Sequence, residues 1–164
     1  MQIVKKETEV SGELLFLRFA GPCVPNKFLL TQLGKEGGIS QDDFDKINLI
    51  LENDIKPKID LLERCFRNAV DNYRECKLCR ESGYEADFSY ASVLNHLRHH
   101  HGHDGDCSAK LAQVSLINSG GIIIVISNNR KFVVVNPYGL QLKPDNFILV
   151  HRLTAITKIQ RASP

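Results

Sequence analysis

The 164-residue sequence contains no tryptophan and a single methionine, and it has no long hydrophobic run. No apolar stretch approaches the ~20 residues that span a bilayer, so a membrane-spanning helix is not expected. Met1-Gln-Ile-Val-Lys-Lys-Glu-Thr-Glu lacks the apolar core of a signal peptide. Phosphate-cradling loops are also missing. Gly34, Gly37 and Gly38 fit neither the P-loop nor the GxGxxG spacing, and Gly120-Gly121 reads as the start of a strand. There is no HExxH motif and no H-x-E…P-C-x-x-C motif, which removes the commonest patterns of catalytic zinc. No internal repeat and no low-complexity segment is present.

Five cysteines are an odd number, and three of them cluster with five of the six histidines between Cys76 and Cys107. That usage points to a reducing, intracellular compartment and to metal rather than a disulfide framework. Cys76 and Cys79 form a C-x2-C hook. After sixteen intervening residues comes His96, inside Ala91-Ser-Val-Leu-Asn-His-Leu-Arg, which reads as a helix opening; His99, His100 and His101 follow. Zinc takes four soft or borderline ligands at tetrahedral corners, commonly a cysteine pair facing a histidine pair on a helix. His100 and His101 both lie about one turn beyond His96 and either can close such a site. His103 and Cys107 are fallback ligands. With no open position or motif base in view, the expected ion is one structural Zn2+ rather than a catalytic one, and the chain is expected not to be an enzyme.

The pattern C-x2-C-x16-H-x4-H, with Ser92-Val-Leu-Asn-His-Leu-Arg-His-His-His-Gly102 over its second half, resembles the BED-type zinc finger, a longer-looped relative of the Cys2His2 finger. The resemblance covers about 30 residues. It implies Cys76, Cys79, His96 and His101 as the ligands, Leu94 and Leu97 as the small core of the finger, and DNA binding.

Charge is unevenly distributed. Residues 1–75 carry 11 Lys and Arg against 13 Asp and Glu, residues 76–107 carry 3 against 5, and residues 108–164 carry 7 against 1. Clustered Lys and Arg bind phosphate backbones, so the electrostatic case for nucleic acid rests on the C-terminal third and not on the finger. The candidate contacts there are Arg130, Lys131, Lys143, Arg152 and Lys158, with Arg161 near the end. Arg98, Lys77 and Arg80 are expected to add support, and Tyr138 is the clear aromatic available for stacking. Nucleic acid is the expected partner. A protein bound by a zinc-scaffolded adaptor is the alternative, consistent with the acidic finger.

The expected fold class is α+β: a single compact domain over 1–164 with a zinc-finger module at 76–107 and a basic, β-rich part over 108–164. Gln2–Val10 and Glu13–Ala20, separated by Ser11-Gly12, read as an N-terminal β-hairpin. Phe28–Leu33 reads as a short helix ended by Gly34. Ser40 and Asp43 mark the start of a helix over 41–52, with Phe44, Ile47 and Leu51 on one face. A second, long helix begins after Asn53 or Asp54, tolerates Pro57 in its first turn and carries Ile59, Leu62, Phe66, Ala69/Val70 and Tyr73 to about residue 75. Beyond Cys107, Ile122–Ile126, Phe132–Val135 and Phe147–Val150 read as strands, and Leu153–Ile159 as a fourth strand or a helical tail. Cys23 and His151 are weak candidates for a thiol nucleophile and its base; Cys65 reads as core.

Overall fold

The computed structural model describes residues 10–23, 38–99 and 109–160. The fold is α+β, with six α-helices and a five-stranded antiparallel sheet among those residues.

The first helix, α1 (Gly12–Ala20), overturns the expected second strand of an N-terminal hairpin. Ser11 caps it, its hydroxyl accepting from Leu14 N at 3.1 Å. All nine residues are buried, because α1 packs on other helices and on the sheet. A segment buried all round shows no polar stripe, so Leu-Leu-Phe-Leu-Arg-Phe carries neither period and reads as strand by composition alone. Gly12 makes one of these contacts possible. A Cβ there would stand 2.1 Å from the Phe88 carbonyl oxygen. The strand expected at Gln2–Val10 falls, apart from Val10, outside the described residues, as does the helix expected at Phe28–Leu33.

Helix α2 (Gln41–Glu52) starts where Ser40 accepts from Asp43 N, and it buries Ile47 with Phe44 and Leu51 partly covered. The long helix expected to follow is two: α3 (Ile59–Cys65) and α4 (Arg67–Arg74). Phe66 sits between them at φ −131°, ψ 39°, outside helical space, with its side chain buried. The break leaves the stripe intact, because Leu62, Phe66, Val70 and Tyr73 all enter the core. Pro57 precedes the helix instead of lying in its first turn, and Lys58 is the N-cap. Helices α5 (Lys77–Glu81) and α6 (Tyr90–His99) complete the helical half.

The sheet comprises β1 (Lys110–Ile117), β2 (Ile123–Ser127), β3 (Arg130–Val134), β4 (Phe147–His151) and β5 (Thr154–Ile159), in the order β3-β2-β1-β4-β5. β1 to β3 form a meander and β4 returns beside β1, which is a Greek key. The sheet then curls until its edges meet. Val135 N donates to Leu153 O at 2.8 Å and Ala155 N to Val135 O at 2.9 Å, a parallel bridge between the end of β3 and the start of β5. The result is a small, partly open barrel. Its interior holds Ala112, Val114, Ile123, Val125, Val134, Ile148, Val150 and Ala155, roofed by Leu140 and Leu142. The opposite face of β4 and β5 sends Leu149 and Ile156 into the helical core.

Arg18 and His151 fasten the two halves together. The Arg18 side chain donates to Asp54 Oδ1 at 2.7 Å and to Ile156 O at 3.3 Å, and its guanidinium lies 4.7 Å from the centre of the Tyr138 ring. Phe19 stacks on the buried His151 ring at 4.3 Å.

Candidate metal centre

The chain reverses twice to build the centre. After α4 ends at Arg74, Cys76 takes the N-cap position of α5 and Cys79 lies one turn later on it. Tyr84 N then donates back to Cys79 O at 3.0 Å and Gly83 adopts φ 83°, closing a tight turn that suits glycine. Asp87 and Ser89 set the start of α6. Ser89 Oγ accepts from Ser92 N at 3.3 Å and donates to Asp87 Oδ1 at 2.8 Å. Hydrogen bonds from the Ser92 and then the Ser89 side chain hold the Asp87 carboxyl below its ordinary range. α6 then carries His96 inward, with Val93 and Leu97 buried beside it.

Cys76 Sγ, Cys79 Sγ and a ring nitrogen of His96 come within 4.8 Å of one another. Cys79 Sγ lies 3.5 Å from His96 Nδ1. With Zn–S near 2.3 Å and Zn–N near 2.05 Å, two ligands at a tetrahedral angle stand about 3.5 Å apart. Two sulfurs and an imidazole also suit the donor preference of zinc. Cys79 and His96 are buried while Cys76 is half-exposed, so the pocket opens on the Cys76 side.

Burial, followed by the neighbouring Cys76, pushes the Cys79 thiol up to about 11; a hydrogen bond from Asn95 acts in the opposite direction. A bound dication reverses that balance, because the thiolate is the ligating form. The wall behind the centre is aromatic. Tyr73 meets His96 edge-on at 5.1 Å and packs with Phe16 and Phe88, while its hydroxyl donates to the Asp87 carbonyl. Burial raises Tyr73 to about 12, so it stays a neutral donor.

No protein-family model, curated protein or solved structure matches this chain.

His101, the fourth ligand expected from the sequence, lies outside the described residues, as do His100, His103 and Cys107. The basic candidates fall into separate groups. Arg130 and Lys131 are exposed at the β2–β3 turn and Arg152 at the β4–β5 turn. Lys143 belongs to the β3–β4 connection, and Lys158 Nζ donates into that connection at Gln141 O, 3.4 Å away. Arg98 is exposed on α6, apart from the sheet. Tyr138 does not serve as an open stacking platform: its ring faces Arg18 and its hydroxyl donates to Arg18 O at 3.4 Å. His151, at 1% exposure, is sealed against Phe19 and offers no accessible base. Cys65 is half-buried against the core, and burial lifts its thiol to about 11.

Sequence reasoning missed Lys110. β1 was not foreseen, and Lys110 gains its place only by pairing with Val150. Ser127 pairs with Arg130 and its hydroxyl donates to Leu111 O, so Arg130, Lys110 and Arg152 are strung along one end of the barrel.

Proposed function

We propose that this is a zinc-stabilised nucleic-acid-binding protein, in which one structural Zn2+ held by Cys76, Cys79, His96 and His101 fixes the helical half and the barrel contacts phosphates. The observation that carries this reading is the gathering of Lys110, Arg130, Lys131 and Arg152 at one barrel end, in a C-terminal third with seven cations and one acid. One class of small five-stranded Greek-key barrel, the OB-fold, binds oligonucleotides or oligosaccharides on its β2–β3 face and flanking loops. Lys143, Lys158 and Arg98 would contribute at longer range. With Tyr138 turned to Arg18, phosphate contacts would dominate over base stacking, giving weak sequence preference. The resemblance of 76–101 to BED-type fingers points the same way.

The test is fluorescence anisotropy of zinc-loaded protein with short dsDNA, dsRNA and ssRNA, titrated from low to physiological salt. Four phosphate contacts give a slope of log K against log salt of roughly −3 to −4. The triple variant Lys110→Glu, Arg130→Glu, Arg152→Glu is expected to flatten it. Absent or salt-insensitive binding to all three ligands overturns the reading.

A second reading, a zinc-scaffolded protein-interaction adaptor, is favoured by one feature of the barrel. Leu116, Ile124 and Val133 stand opposite one another across β1, β2 and β3 on its outer face. Leu116 and Val133 are each 51% exposed, and an aliphatic row of this kind marks protein contact more often than contact with bases.

A further inference from the structure

We infer that the outer edge of β3, together with the aliphatic row beside it, accepts an extended acidic peptide strand from a partner protein. This deepens the adaptor reading and rests on it.

Alternate backbone groups of β3 point outward, away from β2. Val135 uses its N–H and its C=O toward β5, away from β2. Peptide orientation alternates along a strand, so Val133 and Lys131 also turn their N–H and C=O away from β2. The β2–β3 hairpin agrees: Ser127 and Arg130 flank the two-residue Asn128-Asn129 turn as a bonded pair, which makes Lys131 and Val133 the non-bonded positions. β3 and β5 run parallel and β5 begins level with Val135. Arg130–Val134 therefore project past the start of β5. Among the described residues nothing pairs with the outward groups of Lys131 and Val133.

The surroundings suit a strand. Five residues, Arg130–Val134, offer a ladder of about 17 Å. Val133 and Val135 are exposed along it, and the β4–β5 turn presents Leu153 at its end, 58% exposed. That turn places Arg152 and Leu153 at φ 47° and 60° without a glycine, and the Leu153 carbonyl is tied to Val135. An incoming strand adds backbone hydrogen bonds on the edge and packs alternate apolar side chains beside Val133.

Charge selects the occupant. Arg130 and Lys131 lie on the edge itself and make no ion pair among the described residues. Antiparallel pairing of β3 with β3 of a second copy would bring both cation pairs into one short ladder, and cations on an edge oppose such self-pairing. A strand that sets aliphatic residues beside Val135 and Val133, two positions apart on the outer face, and acidic residues beside Lys131 and Arg130 satisfies both the row and the cations.

The experiment is a fluorescence titration of zinc-loaded protein with a labelled, capped hexapeptide Val-Thr-Val-Thr-Glu-Glu, which in antiparallel pairing sets its Val residues beside Val135 and Val133 and its Glu residues beside Lys131 and Arg130, against its Lys-for-Glu counterpart. Val133→Pro removes one outward N–H and no bond to β2, so the barrel keeps its melting temperature and far-UV spectrum. Lys131→Glu provides a second variant with the backbone unchanged. Micromolar binding of the acidic peptide, at least tenfold weaker in Val133→Pro and Lys131→Glu and at least tenfold weaker for the basic peptide, is the expected result. Binding that survives Val133→Pro but is lost in Leu116→Asp overturns the edge while leaving the adaptor reading. Binding of neither peptide overturns both. Sedimentation showing a dimer that Val133→Pro dissolves would assign the edge to a second copy and overturn the acidic partner. Displacement of the peptide by an oligonucleotide that binds Val133→Pro as well as wild type would assign the surface to nucleic acid, with the same consequence.

Discussion

Cys79 Sγ lies 3.5 Å from His96 Nδ1, the edge length of a zinc tetrahedron, although seventeen residues separate them in the chain. The spacing is held by two unrelated devices, the α5 turn that closes at Gly83 and the Ser89 cap of α6. Removing either ligand should release the ion. Cys79→Ser and His96→Ala are each expected to drop bound zinc from about one ion per chain to near none by elemental analysis. A loss of roughly 3 kcal/mol would lower the melting temperature by ~5–12 °C. Of His100→Ala and His101→Ala, only the second is expected to reproduce the effect.

Gly12 tests the contact between α1 and α6. A methyl group there would meet the Phe88 carbonyl at 2.1 Å and the Ser89 backbone at 2.5 Å, with no flexible side chain to yield. Gly12→Ala is expected to cost about 3 kcal/mol despite alanine's better helix propensity. Thermal melts measure it. Because Ser89 caps the helix bearing His96, zinc affinity by competition with a chelator should fall as well.

Arg18 joins α1 to the barrel through Asp54, the Ile156 carbonyl and the face of Tyr138. Arg18→Met keeps the apolar stem but leaves that buried carbonyl without its donor and Tyr138 without its cation. The expected cost is ~2–3 kcal/mol. Arg18→Lys, which retains charge but not the planar fork, should recover part of it. Urea denaturation would show the order wild type, Lys, Met.

The pair Asp43 and Arg64 gives a pH signature. Two guanidinium nitrogens donate to the two carboxylate oxygens at 2.9 and 2.7 Å, and Arg64 holds the Asp43 carboxyl down to about 2. A carboxyl depressed in the folded state contributes stability above its unfolded value of ~3.9 and loses it as the pH falls through the folded value. The melting temperature of wild type should exceed that of Asp43→Asn by ~2–4 °C at pH 6. The gap should narrow from about pH 5, be mostly lost by pH 2 and close near pH 1; a gap undiminished at pH 2 would remove the ion pair as its cause.

The sequence by itself determined what local periodicity and ligand spacing encode. Helix 41–52, the stripe from Leu62 to Tyr73, the strands at Ile123–Ser127, Arg130–Val134 and Phe147–His151, and the approach of Cys76, Cys79 and His96 all follow from residues near one another in the chain. Tertiary structure decided the rest. Leu14 to Phe19 became a helix because neighbours surround every face of it, an environment with no polar side to leave a period in the sequence. β1 could not be foreseen, since Leu111 and Leu116 point outward while its place at the middle of the sheet comes from β4 partners 34 to 40 residues away. Closure of the barrel at Val135 and Thr154, and with it the open edge of β3, depends on how far the sheet twists. Tyr138 reads as an exposed turn aromatic until Arg18, 120 residues earlier, is seen to cover it. Each of these outcomes rests on contacts between distant segments, and no local pattern specifies which distant segment arrives.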